Sequence, residues 1–249
     1  SETRHRPPYG CRGVRRGDRG MAVVDAVHLG GLAAEAARGC FITFEGPEGA
    51  GKTTQIRRLQ ERLENEGFAV VVTREPGATT LGQALRRLML DGDQEPLAPA
   101  AMALLMSADR AQHVATVIRP ALSMGAVVIS DRYADSTYAY QGYGEGLDLG
   151  ELRKITHLAT GGLEPDLTVL LDLEPALGIA RKRHAHRTGR AELNSMDDRS
   201  IEFHRRVRAG FKALAQEDPS RFVVLDATGP ADLLTMRIWK EVGEMIGVR

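Results

Sequence analysis

Five short and nearly continuous apolar runs recur along the chain after residue 40. They cover residues 41–45, 69–73, 126–130, 167–173 and 222–226. Runs of this length without polar alternation are typical of parallel strands that are covered on both faces. The longer segments between them show helical spacing of apolar residues, as at Ile56, Leu59 and Leu63. The pattern predicts an α/β fold, a doubly wound five-stranded parallel sheet with helices on both faces.

Residues 1–38 do not follow this pattern. The first twenty residues contain six arginines among glycine and proline, and almost nothing apolar. Such a segment cannot bury enough apolar surface to fold by itself. A targeting peptide is the alternative, but Glu2, Asp18 and the scarcity of serine speak against it. We therefore expect an N-terminal extension over residues 1–38, disordered or loosely docked, and one domain over residues 39–249.

Charge and composition narrow the classes of partner. Lys plus Arg and Asp plus Glu both number 33, so the formal net charge is zero, which argues against a general nucleic-acid or anionic-membrane binder. The longest apolar stretch, near residues 98–108, is too short to span a bilayer. Cys11 and Cys40 have no metal-ligand spacing. These features predict a cytoplasmic protein with no nucleic-acid or membrane partner.

The first apolar run is followed by a glycine-rich loop that ends in a lysine and a threonine. The loop reads Gly46-Pro47-Glu48-Gly49-Ala50-Gly51-Lys52-Thr53 and precedes an amphipathic segment. In this strand–loop–helix context the backbone N–H groups and the helix N-terminus attract phosphate oxygens. Lys52 would reach the β- and γ-phosphates, and the Thr53 hydroxyl would hold Mg²⁺. The motif predicts a site for a nucleoside triphosphate.

Two further strand ends carry groups that suit a second phosphate. The third run ends at Asp131-Arg132, and the second is followed by Arg74 just before a Pro-Gly turn. Asp131 could order Mg²⁺, and an arginine fork suits a phosphate acceptor. A structural ion pair at the strand end is the alternative for Asp131 and Arg132. The carboxyl ends of parallel strands meet at one edge, so the sequence predicts donor and acceptor phosphates in one site.

A basic run over residues 181–190 follows the fourth apolar run. Such a run is often only a solvated face. In a phosphoryl-transfer enzyme it would instead be a short arginine-rich lid, near residues 183–197, that closes over the triphosphate and excludes water. The sequence leaves both interpretations open at this point.

Together these motifs resemble the thymidylate kinase family of P-loop nucleoside monophosphate kinases. The resemblance lies in residues 44–54, 73–77, 107–113, 131–133, 136–142, 165–172 and 203–208. It implies transfer of the γ-phosphoryl group of ATP to dTMP, which gives dTDP on the way to dTTP, with Mg²⁺ as cofactor. It also implies a homodimer. The alternatives are a P-loop kinase for another nucleoside monophosphate or a deoxynucleoside, and a nucleotide-binding regulator that has lost catalysis.

The resemblance implies four groups of site residues. The catalytic group is Lys52, Arg132, Arg187 and Arg190. The ATP-binding group is Gly46, Pro47, Glu48, Gly49, Ala50, Gly51, Lys52, Thr53, Thr54, Asp226 and Ala227. The substrate-binding group is Glu48, Arg74, Met106, Arg110, Arg132, Thr137, Tyr140 and Gln141. The metal ligands are Thr53 and Asp131.

Helical spacing supports the substrate-binding group. Thr137, Tyr140 and Gln141 stand at i, i+3 and i+4, so a short helix would present them on one face. Met106 and Arg110 are likewise four residues apart on a helix expected over residues 99–118.

The chain departs from the family pattern at two places. Met106 stands where the family usually has a phenylalanine stacked on thymine. Residues 194–197 read Asn-Ser-Met-Asp, where the family has Asp-Arg-(Ile or Phe)-Glu or a close variant.

Overall fold

A computed structural model describes residues 39–90, 96–189 and 199–248. Its single sheet has five parallel strands in the order β2-β3-β1-β4-β5. They are β1 Cys40–Glu45, β2 Val70–Arg74, β3 Val127–Asp131, β4 Leu167–Asp172 and β5 Phe222–Asp226. Each predicted strand is confirmed to within one residue at either end. The strand order reverses beside β1, which opens a crevice at the carboxyl ends of β1 and its neighbours.

Nine α-helices occur in the described ranges. They are α1 Lys52–Asn65, α2 Thr80–Leu90, α3 Pro99–His113, α4 Arg119–Ser123, α5 Ala134–Thr137, α6 Leu149–Thr160, α7 Pro175–Arg187, α8 Ile201–Glu217 and α9 Ala231–Ile246. Two π-helical segments, Val114–Ile118 and Tyr138–Gly144, extend α3 and α5.

Two expected helices are therefore wrong in their detail. The helix over residues 99–118 is α-helical only to His113 and then widens to π-helical turns. Thr137 ends α5, whereas Tyr140 and Gln141 lie in the wider turns that follow. Side-chain spacing cannot distinguish the two helix types over so few residues, because they differ only in whether each N–H bonds the carbonyl four or five residues earlier.

Both faces of the sheet are covered, as the apolar runs predict. Ile42 and Phe44 of β1 pack with α1 and α9 in one core cluster. Phe41, on the opposite face, packs with Val128 and with Ile118 of the first π-helical segment. Parallel strands buried on both sides leave only their ends free to carry polar groups, and this places the chemistry at the crevice.

Some predictions concern residues outside the described ranges. The N-terminal extension, Arg190 and residues 194–197 all lie there. Within the ranges that the structure describes, we find no helix that is both long and apolar enough to cross a membrane.

Candidate active site

A cleft of about 760 Å³ opens at the carboxyl ends of the strands. Its walls come from the phosphate-binding loop, the ends of β2 and β3, α2, α3, the second π-helical segment and α7. The lining residues are Glu48, Gly49, Ala50, Gly51, Lys52, Thr53, Thr54, Arg74, Glu75, Pro76, Arg86, Leu90, Met102, Met106, Asp131, Arg132, Ser136, Tyr140, Gln141, Arg181, Lys182, Ala185 and Gly189. Residues predicted to bind the donor and residues predicted to bind the acceptor thus share one cleft.

The phosphate-binding loop has a backbone that side chains would not permit. Gly46, Gly49 and Gly51 all have positive φ, at 131°, 71° and 92°. A Cβ on Gly46 would lie 2.3 Å from the Leu171 carbonyl oxygen of β4. The loop wraps Lys52, whose Nζ donates to the carbonyl oxygens of Gly46 (3.1 Å) and Pro47 (3.2 Å). The curled loop therefore surrounds the lysine ammonium and turns its N–H groups into the cleft.

Arg132 joins the two halves of the cleft. Its φ of 72° is in the left-handed region, uncommon for a non-glycine residue, and this turn directs the side chain back over the loop. Nη2 donates to Glu48 Oε1 (2.6 Å) and to Tyr140 Oη (3.2 Å). Nη1 donates to Ser136 Oγ (3.0 Å) and to the Gly46 carbonyl (3.2 Å). One guanidinium thus contacts both the phosphate-binding loop and the predicted substrate pocket.

Glu48 is the carboxylate of the phosphate-binding loop and bonds two cations. Its Oε1 accepts from Arg132, and its Oε2 accepts from Lys182 Nζ of α7 at 3.1 Å. Burial by itself would raise the pKa of Glu48, but the charges of Arg132, Lys52 and Lys182 outweigh burial and hold the pKa well below its usual range. Glu48 is therefore ionised at neutral pH.

Arg110 lies fully buried behind the cleft wall rather than on it. Nε donates to Glu75 Oε2 (2.8 Å), and Nη2 donates to the Tyr133 carbonyl (3.0 Å) and to Thr137 Oγ1 (3.0 Å). Its Nη1 is a buried nitrogen for which the described residues supply no acceptor. Burying a cation with an N–H group unsatisfied is costly. Nη1 therefore keeps an unused N–H donor behind the cleft wall.

A chain of buried groups supports Arg110 from the far side. Glu75 Oε1 is 2.9 Å from His113 Nδ1, and His113 Nε2 is 2.7 Å from Thr73 Oγ1. Glu75 therefore uses both oxygens, one on Arg110 and one on His113. The side chains of Glu75 and His113 are fully excluded from solvent. This arrangement fixes the plane of the Arg110 guanidinium.

The two predicted metal ligands fit the preferences of Mg²⁺. Thr53 lies in the first turn of α1 and Asp131 ends β3, and both line the cleft, so a hydroxyl and a carboxylate oxygen lie at the same edge. Mg²⁺ prefers oxygen ligands and is usually held by one or two protein groups plus substrate phosphates. In the described parts of the chain no three His, Cys, Asp or Glu side chains gather into a metal site. The donor set thus matches a cation carried in with a nucleotide.

Helix α7 places the described part of the predicted lid against the loop. Gly178 and Gly49 meet so closely that a Cβ on Gly178 would lie 2.2 Å from the Glu48 carbonyl oxygen. Arg181 Nη1 donates to the carbonyl of Ala227 at 2.9 Å, which ties α7 to the predicted ATP-binding residues Asp226 and Ala227. Asp226 ends β5 and Ala227 follows it, and neither residue lines the cleft.

Of the two predicted lid arginines, only Arg187 lies in the part of the chain that the structure describes. Arg187 lies in the last turn of α7, is exposed and is not among the lining residues. Arg190 lies outside the part of the chain that the structure describes. Arg74, in contrast, is an exposed side chain at the edge of the cleft, as its place at the end of β2 predicts.

Sequence reasoning missed several residues of the site. Glu75 and His113 lie within the family motifs but have no predicted role, and Lys182 belongs to the basic run without a role of its own. Glu45 is fully buried at the end of β1, where it accepts from the Tyr133 N–H (2.8 Å) and from Ser136 Oγ (2.6 Å). Burial, followed by the charge of Asp135, raises the pKa of Glu45 to about 7. An acidic residue at the end of an apolar strand was the available signal.

Comparison with known proteins assigns the family. The family model described as thymidylate kinase matches residues 44–238. A thymidylate kinase of Deinococcus radiodurans is 55% identical over 207 residues, which are 83% of this chain and 98% of the relative. One of Synechococcus sp. (strain JA-3-3Ab) is 54% identical over 202 residues, with coverage of 81% and 94%. One of Thermomicrobium roseum is 51% identical over 206 residues, with coverage of 83% and 95%. The matched residues include every strand end that builds the cleft, and the chain belongs to the thymidylate kinase family.

Proposed function

We propose that this chain phosphorylates dTMP to dTDP with ATP as the phosphoryl donor. The observation that carries the proposal is the position of Arg132, which bonds Glu48 of the phosphate-binding loop and Tyr140 of the opposite wall. A phosphate that replaces either partner remains within reach of the same guanidinium. The family assignment supports the same reaction and does not favour the alternatives considered from sequence.

ATP binds through the phosphate-binding loop, residues 46–54. The N–H groups of the loop and the start of α1 hold the β- and γ-phosphates, and the Lys52 ammonium neutralises their charge. Thr53 and Asp131 would hold Mg²⁺, which neutralises the triphosphate further. The loop after β5, with Asp226 and Ala227, would contact the adenine.

The acceptor dTMP binds against α3 and the second π-helical segment. Arg132 and Arg74 clamp its phosphate, since both line the cleft and each offers a fork of N–H donors. Arg110 offers the otherwise unsatisfied Nη1 to a carbonyl oxygen of thymine. Met106 and Tyr140 cover the base and the deoxyribose, and Thr137 and Gln141 provide hydrogen bonds.

Catalysis depends on position and charge. An oxygen of the dTMP phosphate, already an anion, attacks the γ-phosphorus in line, and the electrons of the broken bond leave on ADP. No strong general base is required. The rate enhancement comes from holding two mutually repelling phosphates together. Lys52 and Arg132 do this in the described cleft, and we propose that Arg187 and Arg190 add charge when the lid closes.

ADP release in the presence of Mg²⁺ tests the proposal. We would compare dTMP with dUMP, dCMP, dGMP and free thymidine, with Lys52→Met as the control for ATP-dependent background. We expect turnover chiefly with dTMP. Turnover chiefly with another monophosphate would retain the reaction and reject the substrate, and the absence of any acceptor-dependent turnover would reject the kinase function.

Assembly and location are part of the proposal. By resemblance to its family the chain would act as a homodimer in the cytoplasm, on nucleotides and without a nucleic-acid or membrane partner. Light scattering after gel filtration at micromolar concentration tests assembly. A mass twice that of one chain is expected, and the mass of one chain at all concentrations would contradict it.

A further inference from the structure

Lys182 of α7 is a cation of the cleft that the motifs did not single out. Its Nζ is 3.1 Å from Glu48 Oε2, and its side chain is only 11% exposed. The other oxygen of Glu48 bonds Arg132. Lys182 and Arg132 therefore contact opposite oxygens of one carboxylate, although they come from α7 and from the turn after β3.

The packing of α7 aims Lys182 at the phosphate-binding loop. Gly178 and Lys182 are four residues apart and share one face of the helix. At Gly178 that face approaches the backbone of Glu48 and Gly49 so closely that no Cβ fits. Arg181, the neighbouring residue, points elsewhere and binds the Ala227 carbonyl. The position of Lys182 is therefore set by the helix backbone rather than by a flexible loop.

Glu48 lies among several charged groups of the cleft. Three cations, Arg132, Lys52 and Lys182, all stabilise the ionised form of this single carboxylate. Asp131 and Glu45 also act on Lys52 and Arg132, and the three cations together can attract further anions into this part of the cleft. Phosphate groups between the loop and α7 would supply them.

We propose that Lys182 is a further catalytic residue, a lid-helix cation that contacts the phosphoryl group during its transfer. The inference rests on the proposed kinase function. Lys182 acts through its charge and its N–H groups and takes part in no covalent step. It donates hydrogen bonds to the oxygens of the transferring group, on which negative charge accumulates in the transition state. Arg187, five residues further along, is exposed and lines no part of the cleft in this structure.

Replacing the lysine tests the role directly. We expect Lys182→Met to lower kcat by about 10²- to 10³-fold, as loss of one transition-state donor does, with less than about a threefold change in KM for dTMP. Lys182→Arg should recover a large part of kcat, because it keeps the charge. Lys212→Met, which removes an exposed lysine of α8, is the matched control and should leave kcat unchanged. A kcat for Lys182→Met within twofold of the unmodified protein would overturn the proposal.

A second variant separates catalysis from mere positioning of Glu48. If Lys182 acted only through Glu48, Lys182→Met would have no further effect in a Glu48→Gln background. We expect kcat to fall again in the double variant, by a factor similar to that in the single variant. No further fall would overturn the catalytic role. Failure of the kinase function itself would show separately, as the absence of dTMP-dependent turnover in the unmodified protein.

Discussion

Arg110 Nε donates to Glu75 Oε2 at 2.8 Å, and both side chains are wholly excluded from solvent. The pair joins the end of β2 to α3. The other Glu75 oxygen, Oε1, is hydrogen-bonded to His113. A buried pair of this kind adds little net stability relative to apolar packing, yet it becomes very costly once one partner is missing. Its value to this protein lies in fixing the Arg110 guanidinium beside the pocket.

Removing Glu75 should therefore destabilise the fold strongly. We expect Glu75→Ala to lower the free energy of unfolding by about 3–5 kcal/mol, because a buried guanidinium is left unpaired. Urea denaturation measures the loss. Glu217→Ala, which breaks the half-exposed pair with Arg153, is the control and should cost at most about 1 kcal/mol. Similar losses in the two variants would contradict this account of Glu75.

Asp109 should make the free energy of unfolding decrease as pH rises. Burial, followed by the charge of Glu75, raises the pKa of Asp109 to about 6. The folded state thus holds a proton that an unfolded aspartate, with a pKa near ~4, has already released, and stability decreases between these values. Relative to Asp109→Asn, the unmodified protein should lose up to roughly 3 kcal/mol between about pH 4 and pH 6.

Urea denaturation of the unmodified protein and of Asp109→Asn, at intervals from pH 4 to pH 8, checks this prediction. The Asn side chain can still accept from the Gly77 N–H, the bond that Asp109 Oδ1 makes at 3.2 Å. The difference in unfolding free energy should level off above about pH 6, where Asp109 is ionised in both states. A difference that is constant over the whole range would show that the pKa of Asp109 is not raised.

Met106→Phe should strengthen binding of the acceptor. Met106 lines the cleft on α3 at the position where the family usually has a stacking phenylalanine. An aromatic pair contributes about 0.5–1.5 kcal/mol beyond buried area, so KM for dTMP should fall about two- to tenfold while KM for ATP stays the same. Steady-state kinetics checks the result, with Met124→Phe, at an exposed residue outside the cleft, as the control. A lower KM in both variants would contradict a role in the pocket.

Gly178→Ala should separate α7 from the phosphate-binding loop. The new Cβ would lie 2.2 Å from the Glu48 carbonyl oxygen, which is backbone and cannot rotate away. We expect a loss of about 1–3 kcal/mol in the free energy of unfolding despite the better helix propensity of alanine, together with lower kcat. Gly229→Ala meets no atom within 4 Å and should change stability by less than about 0.5 kcal/mol. Equal stability of the two variants would sink the prediction.

The strands and the loop were predictable because their signals are local. A continuous apolar run between turns specifies a buried parallel strand, and the five runs match β1 to β5 to within one residue. Positions 46, 49 and 51 have positive φ angles that favour glycine, so the glycines in the sequence indicate the shape of the loop. Arg74 and Asp131 end their strands, Arg132 follows β3, and all three line the cleft because parallel strands end at one edge of the sheet.

The sequence by itself thus determined the α/β class, the phosphate-binding loop and the side of the sheet that carries the chemistry. Only the tertiary structure decided which charged groups meet: Glu48 with Lys182, 134 positions apart, and Glu75 with Arg110, 35 positions apart. Such pairings depend on how helices pack across the sheet and on a close approach of two glycines. Local propensity carries no information about either, because both are set by contacts between segments distant in sequence.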